Sequence, residues 1–262
     1  MKSFDNKDCN VVISGGTQGL GFAIAKKLAF NGCKKIVLLG RDRQKGIKAS
    51  NEICEMQTDC FYKKCDVSIA EDCKEAIKYS IKKLGYVNGL VNSAAITSRG
   101  SIFDTSEDLW NEHLNTNLRG PFLLIQGLVK HLTEKKIEGS IVNILSTSAH
   151  VGQSYLTPYS TSKGGLLTLT KNLANSLKEF KIRVNGFAPG WMDTPGEDFI
   201  QKTFHNAKND WLEKAEKTRP FGKLIKTKEI SPLIAYLLSS NSGVITGSII
   251  DYDQQIIGAV SE

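Results

Sequence analysis

Residues 10–21 read NVVISGGTQGLG, a short apolar run followed directly by a glycine-rich turn. The run is typical of a buried β-strand, and the pattern from Leu20 onward is typical of a helix. Gly15, Gly19 and Gly21 follow the spacing G-x-x-x-G-x-G. Because glycine has no Cβ, such a turn lets backbone N–H groups at a helix N-terminus approach a pyrophosphate closely. A P-loop is excluded, since no Lys-Ser or Lys-Thr pair follows at the required spacing.

Strand-like and helix-like stretches alternate along the rest of the chain. We predict strands at residues 10–14, 35–39, 61–65, 89–92, 140–145, 182–187 and 248–250. Between them we predict helices at residues 20–30, 108–114, 120–132 and 159–180. We also predict a polar helix that follows the second strand and ends near residue 56, and a helix that is capped by Ser68 and ends at residue 83. This alternation indicates a Rossmann-like, doubly wound α/β fold. Its seven-stranded sheet is expected to be mainly parallel, with helices on both faces.

The length of 262 residues is compatible with one hydrophobic core, so we predict a single domain over residues 1–262. One segment, residues 191–219, interrupts the alternation. It is polar and carries two aromatic anchors, Phe204 and Trp211. We interpret it as a small helical lid over the substrate.

Composition excludes several classes of protein. The net charge is +7, but the lysines are spread along helix faces, which argues against a nucleic-acid partner. No apolar window is long enough for a membrane span, and residues 1–10 have no apolar core of a secretory signal. The six cysteines form no C-x-x-C pair and have no histidine at zinc-finger spacing. We therefore expect a cytoplasmic protein with reduced thiols and no metal, acting on a small molecule.

A candidate catalytic pair lies at the start of the predicted helix 159–180. Tyr159 and Lys163 are four residues apart, so they share one helix face. A free tyrosine has a pKa near 10, and a nearby ammonium would lower it, which would suit a general acid or base. Ser146 follows the strand 140–145 and can donate a hydrogen bond to a developing alkoxide, with Thr147 and Ser148 as competitors for this role.

The end of the second strand distinguishes the two nicotinamide cofactors. An acidic residue there would bind the ribose 2′-hydroxyl of NAD, whereas a guanidinium suits the 2′-phosphate of NADP. The sequence reads Gly40-Arg41-Asp42-Arg43. We predict NADP(H), with Arg41 as the main contact and Arg43 as a possible second, while Asp42 keeps NAD(H) open.

Taken together, these motifs resemble the classical short-chain dehydrogenase/reductase family over nearly the whole chain. The glycine turn is joined by Asp66-Val67 after the third strand, Asn92-Ser93-Ala94-Ala95 after the fourth, and residues 183–190, RVNGFAPG. The resemblance implies a catalytic set of Ser146, Tyr159, Lys163 and Asn117. It also implies that the cofactor is bound by Gly15, Thr17, Gln18, Gly19, Leu20, Gly21, Arg41, Asp66, Val67, Asn92, Ala94, Tyr159, Lys163, Pro189, Gly190 and Thr194.

The sequence departs from the family pattern at four places. Ser14 replaces a threonine, and Ala95 replaces a glycine. Gln18 stands where NADP enzymes of the family often carry a basic residue, which weakens the prediction of NADP. Asp253-Gln254-Gln255 replaces the usual D-G-G near the C-terminus.

The resemblance also implies a mechanism. Ser146 would position a carbonyl or alcohol, and Tyr159 would move the proton. Lys163 would lower the phenol pKa and hold the nicotinamide ribose, supported by Asn117 through a water. The expected activity is hydride transfer between a nicotinamide and a secondary alcohol or ketone, and the polar lid permits a polyol, sugar or hydroxy acid as substrate.

Two alternatives stay open: a non-catalytic nucleotide-binding regulatory protein and a 3-oxoacyl-type reductase. The family resemblance further implies a homo-oligomer, a tetramer or dimer, associating through the helices 120–132 and 159–180. His150 is interpreted as a loop residue rather than a second acid.

Overall fold

The computed structural model describes residues 4–259, so both ends of the predicted domain 1–262 lie outside the described part. Its main sheet has seven strands: β1 (Asn10–Ser14), β2 (Lys35–Gly40), β3 (Asp59–Lys64), β4 (Gly89–Asn92), β5 (Gly139–Ile144), β6 (Ile182–Pro189) and β7 (Ile249–Tyr252). They lie in the order β3-β2-β1-β4-β5-β6-β7, and every neighbouring pair is parallel. The predicted Rossmann-like sheet is therefore confirmed. The strand order reverses between β1 and β4, which is where ligands bind in such folds.

Helices cover both faces of this sheet. They are α1 (Gly19–Phe30), α2 (Arg43–Cys54), α3 (Ala70–Leu84), α4 (Glu107–Leu114), α5 (Gly120–Lys135), α6 (Thr157–Leu177), α7 (Pro195–Phe204), α8 (Trp211–Lys217) and α9 (Thr227–Leu238). A π-helical turn, Asn115–Arg119, joins α4 to α5.

Alternate side chains of the strands pack into two separate hydrophobic cores. Val11 and Ile13 of β1 pack with α1 and α9 in one cluster. Val12, between them, packs with α3 and α5 in the other. Successive side chains of a strand point to opposite faces, so a continuously apolar strand is buried on both sides.

The predicted N-cap of α3 is wrong by one residue. The helix begins at Ala70, and its N-cap is Ile69, whose side chain makes no capping bond. The Ser68 hydroxyl donates instead to Asp66 Oδ1 at 2.7 Å, and Ser68 N donates to the same oxygen at 3.0 Å. Asp66, two residues upstream, therefore accepts from both the backbone N–H and the hydroxyl of Ser68, and Ser68 does not cap the helix.

Residues 191–219 carry α7 and α8 beyond the end of β6. The indole rings of Trp191 and Trp211 stack with centroids 6.3 Å apart. The short strand Met192–Asp193 pairs with Ile225–Lys226, and the Lys226 ammonium lies 2.9 Å from Asp193 and 2.6 Å from Glu216. These contacts tie the lid to the chain that leads into α9.

Within residues 4–259, no helix combines the length and the apolar character that a membrane crossing requires. The same residues hold no group of three or more His, Cys, Asp or Glu side chains arranged to bind a metal ion.

Candidate active site

One large cleft, of about 960 Å³, opens at the carboxyl ends of the strands. It collects most of the residues that the sequence predicts for the site. Those that line it are Gly15, Thr17, Gln18, Gly19, Leu20, Gly21, Arg41, Asp66, Val67, Ala94, Ser146, Tyr159, Lys163, Pro189, Gly190 and Thr194. Asn92 and Asn117 are not among the residues that line it, and both are almost completely buried.

The glycine turn is shaped by close backbone packing on one side and open space on the other. Gly15 has φ +67°, and a Cβ there would lie 2.7 Å from the backbone nitrogen of Ala94. A Cβ on Gly21 would collide with the carbonyl oxygen of Gly15. Gly19 has φ +55° and nothing within 4 Å of its Cβ position. No side chain caps the first turn of α1, so its N–H groups face the cleft free to bind an anion. The residues present therefore fit a dinucleotide pyrophosphate.

A substitution at Gly19 separates this function from backbone strain. We expect Gly19→Ala to weaken dinucleotide binding by about tenfold or more, because its methyl group enters the space beside the pyrophosphate. Gly85→Ala is the matched control: its φ is +83° and its Cβ position is also open, but it lies at the end of α3. Both variants should lose about 1 kcal/mol of stability. Calorimetric titration with NADPH checks this, and equal affinities in the two variants would reject the assignment of the turn.

Beside the glycine turn, the second cation that lines the cleft is not Arg43, the possible second contact named from sequence. Arg41 lines the cleft, whereas Arg43 begins α2 and is exposed. Lys45 lines the cleft instead, and its ammonium donates to Gln18 Oε1 at 3.0 Å. The Asp42 carboxylate accepts from Lys45 N at 3.0 Å and so caps α2. The sequence could have indicated Lys45, because this residue lies three positions after the capping Asp42, in the first turn of α2. That turn faces the glycine turn.

The catalytic candidates come from β5 and α6. Ser146 follows β5, and its Oγ accepts from Ser148 N at 3.1 Å, while its hydroxyl also forms a hydrogen bond with the phenol of Tyr159. The competing hydroxyl of Ser148 donates to Gln153 Oε1 at 2.9 Å. Lys163 is 2% exposed, and its Nζ donates to the Ile144 carbonyl at 2.8 Å. Of the two serines, Ser146 is the one that is bonded to Tyr159, whereas Ser148 is bonded to Gln153.

The ionisation of the pair differs from the sequence expectation. Burial raises the pKa of Tyr159 to about 12, although a hydrogen bond with Ser146 acts in the opposite direction. Burial lowers the pKa of Lys163 to about 8. The ammonium donates to the Ile144 carbonyl and lies 5.8 Å from the centroid of the Tyr159 ring, and burial outweighs the lowering of the phenol pKa that the sequence predicts for this pair. At neutral pH Tyr159 is a neutral phenol, which is the form that donates a proton.

The amides of Asn117 and Asn92 are engaged in structural bonds. Asn117 lies in the π-helical turn, and its amide accepts from Ile96 N at 2.9 Å and donates to the Ile96 carbonyl and to Ser162 Oγ, both at 3.0 Å. Both amide donors are therefore used, and they pin the loop after β4 to α6. The Asn92 amide donates to Asn143 Oδ1 at 2.8 Å, inside the sheet.

Several residues of the substrate half are visible only in the folded chain. They are Thr97, Arg99, Gln153, Tyr155, Gln201, His205 and Arg219, which line the cleft around Trp191, Met192 and Glu197. They come from the loop after β4, the approach to α6, and the lid. The sequence shows no common motif that would collect them.

The C-terminal residues hold the segment between the lid and α9. Gln254 accepts from Phe221 N at 2.9 Å and donates to the Lys223 carbonyl at 2.6 Å, while Asp253 and Gln255 line the cleft. His150 pairs with Asp251 at 2.9 Å and is not among the residues that line the cleft, in keeping with its interpretation as a loop residue.

Comparison with known proteins agrees with this geometry. Residues 15–254 match the family described as enoyl-(acyl carrier protein) reductase. An uncharacterised oxidoreductase of Thermotoga maritima is 33% identical over 90% of this chain and 91% of its own. The 3-oxoacyl-(acyl-carrier-protein) reductase FabG of Chlamydia pneumoniae is 27% identical over 93% and 94%. The structure of a point variant of actinorhodin polyketide ketoreductase with NADPH superposes with a TM-score of 0.90 at 25% identity, over 98% of this chain and all of the other.

The family match spans almost the whole chain, and the relatives are matched over nearly their full lengths. The glycine turn, the serine after β5 and the tyrosine–lysine pair of α6 meet in one cleft. The chain therefore belongs to the classical short-chain dehydrogenase/reductase family of oxidoreductases.

Proposed function

We propose that the protein is an NADP(H)-dependent enzyme that reduces the ketone group of a small molecule to a secondary alcohol. The observation that carries this proposal is the placement of Tyr159 with Ser146 and Lys163 in a cleft that also holds the glycine turn. The protonated phenol is the form that can donate the proton which reduction of a ketone consumes.

The chain's own residues account for the proton transfer. When bound, the nicotinamide supplies a hydride to the carbonyl carbon. Ser146 donates a hydrogen bond to the carbonyl oxygen and so fixes its position. Tyr159 gives its phenolic proton to this oxygen as the electron pair of the C=O bond moves onto it, and the alcohol forms. Lys163, positively charged below its pKa of about 8, stabilises the phenolate that is left until solvent reprotonates it.

The preference for NADP(H) rests on two cations at the adenosine end. The Arg41 guanidinium can bind a 2′-phosphate, and the Lys45 ammonium, bonded to Gln18, supplies the basic group that position 18 lacks. Asp42 is occupied as the cap of α2, which weakens its claim on a ribose hydroxyl.

We expect the double variant Arg41→Ala, Lys45→Ala to lose about 100-fold in NADPH affinity while NADH affinity changes little, because each cation contributes a charge-assisted bond only to the 2′-phosphate. The matched control is Arg43→Ala, next to both sites but outside the cleft lining. Titration of the wild type and both variants with NADPH and NADH measures the change. Equal catalytic efficiency of the wild type with the two cofactors would contradict the proposed preference.

The activity itself is tested by following absorbance at the nicotinamide band during incubation of NADPH with ketones, oxo acids, keto sugars and 3-oxoacyl thioesters. Turnover with any of these supports the enzyme. Tight NADPH binding without turnover on any of them would favour the non-catalytic regulatory alternative. Preferred turnover of 3-oxoacyl thioesters would favour the second candidate, a 3-oxoacyl-type reductase, which the similarity to the Chlamydia pneumoniae reductase supports.

We further infer a cytoplasmic homo-oligomer, a dimer or tetramer that associates through α5 and α6. Phe122 on α5 exposes 38% of its surface, which is apolar area that a neighbouring subunit would cover. Light scattering behind size-exclusion chromatography measures the mass, and a monomer at micromolar concentration would reject this inference.

A further inference from the structure

A cationic group stands at the mouth of the substrate half of the cleft. Arg99 comes from the loop after β4 and is half-buried. Its Nε donates to His205 Nε2 at 3.0 Å, and its Nη1 donates to the Thr97 carbonyl at 3.1 Å. The guanidinium also lies over the ring of Tyr155, 5.4 Å from the ring centroid. The side chain is thus held from three sides.

None of the groups that hold Arg99 is a carboxylate. A guanidinium can only donate, so His205 Nε2 is the acceptor of its bond. Thr97 offers a backbone carbonyl and Tyr155 an aromatic face. Among residues 4–259, no carboxylate lies within ion-pair distance of Arg99, and its Nη2 has no hydrogen-bond partner there. The site therefore orients the guanidinium without compensating its charge.

The nearby carboxylate of Glu197 is directed elsewhere. Its Oε1 accepts from Trp191 Nε1 at 2.8 Å and from Gln201 Nε2 at 2.7 Å. Asp253, the other acid in this half, packs against Gly190, directly after β6. Among the described residues neither carboxylate forms an ion pair with Arg99, so both leave the positive charge available to a ligand in the cleft.

Arg99 also lies on the reacting side of the cleft. It lines the same cavity as Tyr159, and its charge acts on the phenol, lowering a pKa that burial raises. His205 directly follows α7, so the bond from Arg99 joins the lid to the loop after β4 across the opening. A substrate whose ketone reaches Tyr159 would have its far end near this bridge.

We propose that Arg99 is a specificity-determining residue that binds the carboxylate of an oxo-acid substrate, with His205 and Tyr155 as positioning residues. The proposal rests on the ketone-reductase function proposed above and selects the acid among its substrate classes. A planar guanidinium pairs with a carboxylate through two parallel N–H···O bonds, a geometry that a neutral polyol cannot match.

The test compares acids with their methyl esters, which keep the carbon chain and remove the charge. Wild-type enzyme is assayed with a panel of 2-, 3- and 4-oxo acids and the matched esters. For the best acid, Arg99→Gln should raise KM by about 10- to 100-fold, as expected from the loss of a charge-assisted bond pair. KM for its ester should change by less than about twofold, and Arg99→Lys should restore part of the loss.

Arg43→Gln is the matched control for a general loss of positive charge. Arg43 begins α2, is exposed and lies outside the cleft lining. Its effect on the acid should stay at about threefold or less, since it acts only through a screened field. His205→Ala should raise KM for the acid more than for the ester, as expected of a residue that orients Arg99.

Three results would overturn the proposal: no acid in the panel is a substrate, Arg99→Gln raises KM equally for acid and ester, or a phosphate-bearing thioester is the anion that depends on Arg99. NADPH affinity is measured in parallel by calorimetry. If wild-type protein failed to bind NADPH, the proposed function itself would fail. If the wild-type protein bound NADPH but did not turn over the acids, only the proposed role of Arg99 would be rejected.

Discussion

Replacing Tyr159 by phenylalanine is expected to lower kcat for ketone reduction by about a thousandfold, within the usual range for a general acid. The phenol is the proton donor beside Ser146, and its pKa of about 12 keeps it protonated throughout the neutral range. The variant keeps the ring and loses one hydroxyl, so NADPH affinity should stay within about twofold. The measurement is initial rate against pH together with a calorimetric NADPH titration.

The control for this variant is Tyr86→Phe. Tyr86 is 40% exposed after the end of α3, so the same hydroxyl is removed far from the cleft. Its kcat should equal that of the wild type. Substantial turnover by Tyr159→Phe would show that another group donates the proton and would remove the central residue of the proposed mechanism.

The second large effect is expected at Lys163, where activity and stability should change in opposite directions. Lys163→Met should lose turnover by about a hundredfold or more, because the variant cannot stabilise the Tyr159 phenolate. It should also raise the free energy of unfolding at pH 7. Burial shifts the pKa of Lys163 from 10.5 to about 8, which corresponds to a cost of about 3 kcal/mol for the charged form. Loss of the bond to the Ile144 carbonyl offsets part of this, leaving a gain of about 1–2 kcal/mol.

The pH dependence has a definite sign. Between pH 8 and 10.5 the unfolded chain binds a proton at Lys163 and the folded chain does not, so wild-type stability should rise with pH through this window. Lys163→Met should lack that rise. Lys171→Met, on an exposed position of the same helix, is the control and should keep it. Urea unfolding at pH 7 and pH 9.5 measures the difference, and a variant less stable than wild type at pH 7 would contradict the argument from burial.

Much of the fold follows from local sequence. The continuously apolar β1 predicts a strand buried on both faces, and Val11, Val12 and Ile13 indeed feed two cores. The glycine turn predicts its own geometry, because Gly15 and Gly19 adopt positive φ where glycine is favoured. The spacing of Tyr159 and Lys163 predicts a shared helix face, and both residues line the cleft.

The predictions that failed depend on contacts between distant parts of the chain. Serine commonly caps helices, but the Ser68 hydroxyl donates a hydrogen bond to Asp66 instead. Arg43 is placed by sequence next to Arg41, yet the helical turn brings Lys45 to the cleft. The phenol pKa was expected to fall because Lys163 is near in sequence, whereas the ammonium bonds to β5 and burial raises the pKa.

The sequence by itself therefore determined the order of strands and helices, the dinucleotide turn and the identity of the tyrosine–lysine pair, since these depend on residue spacing and backbone preference over a few positions. Only the tertiary structure decided which cations line the cleft beside the glycine turn, that burial raises the pKa of Tyr159, and that Arg99 meets His205 106 residues away. The physical reason is that the pKa of a side chain and the charges around it depend on burial and on neighbours in space. Burial and spatial neighbours are set by packing between distant parts of the chain.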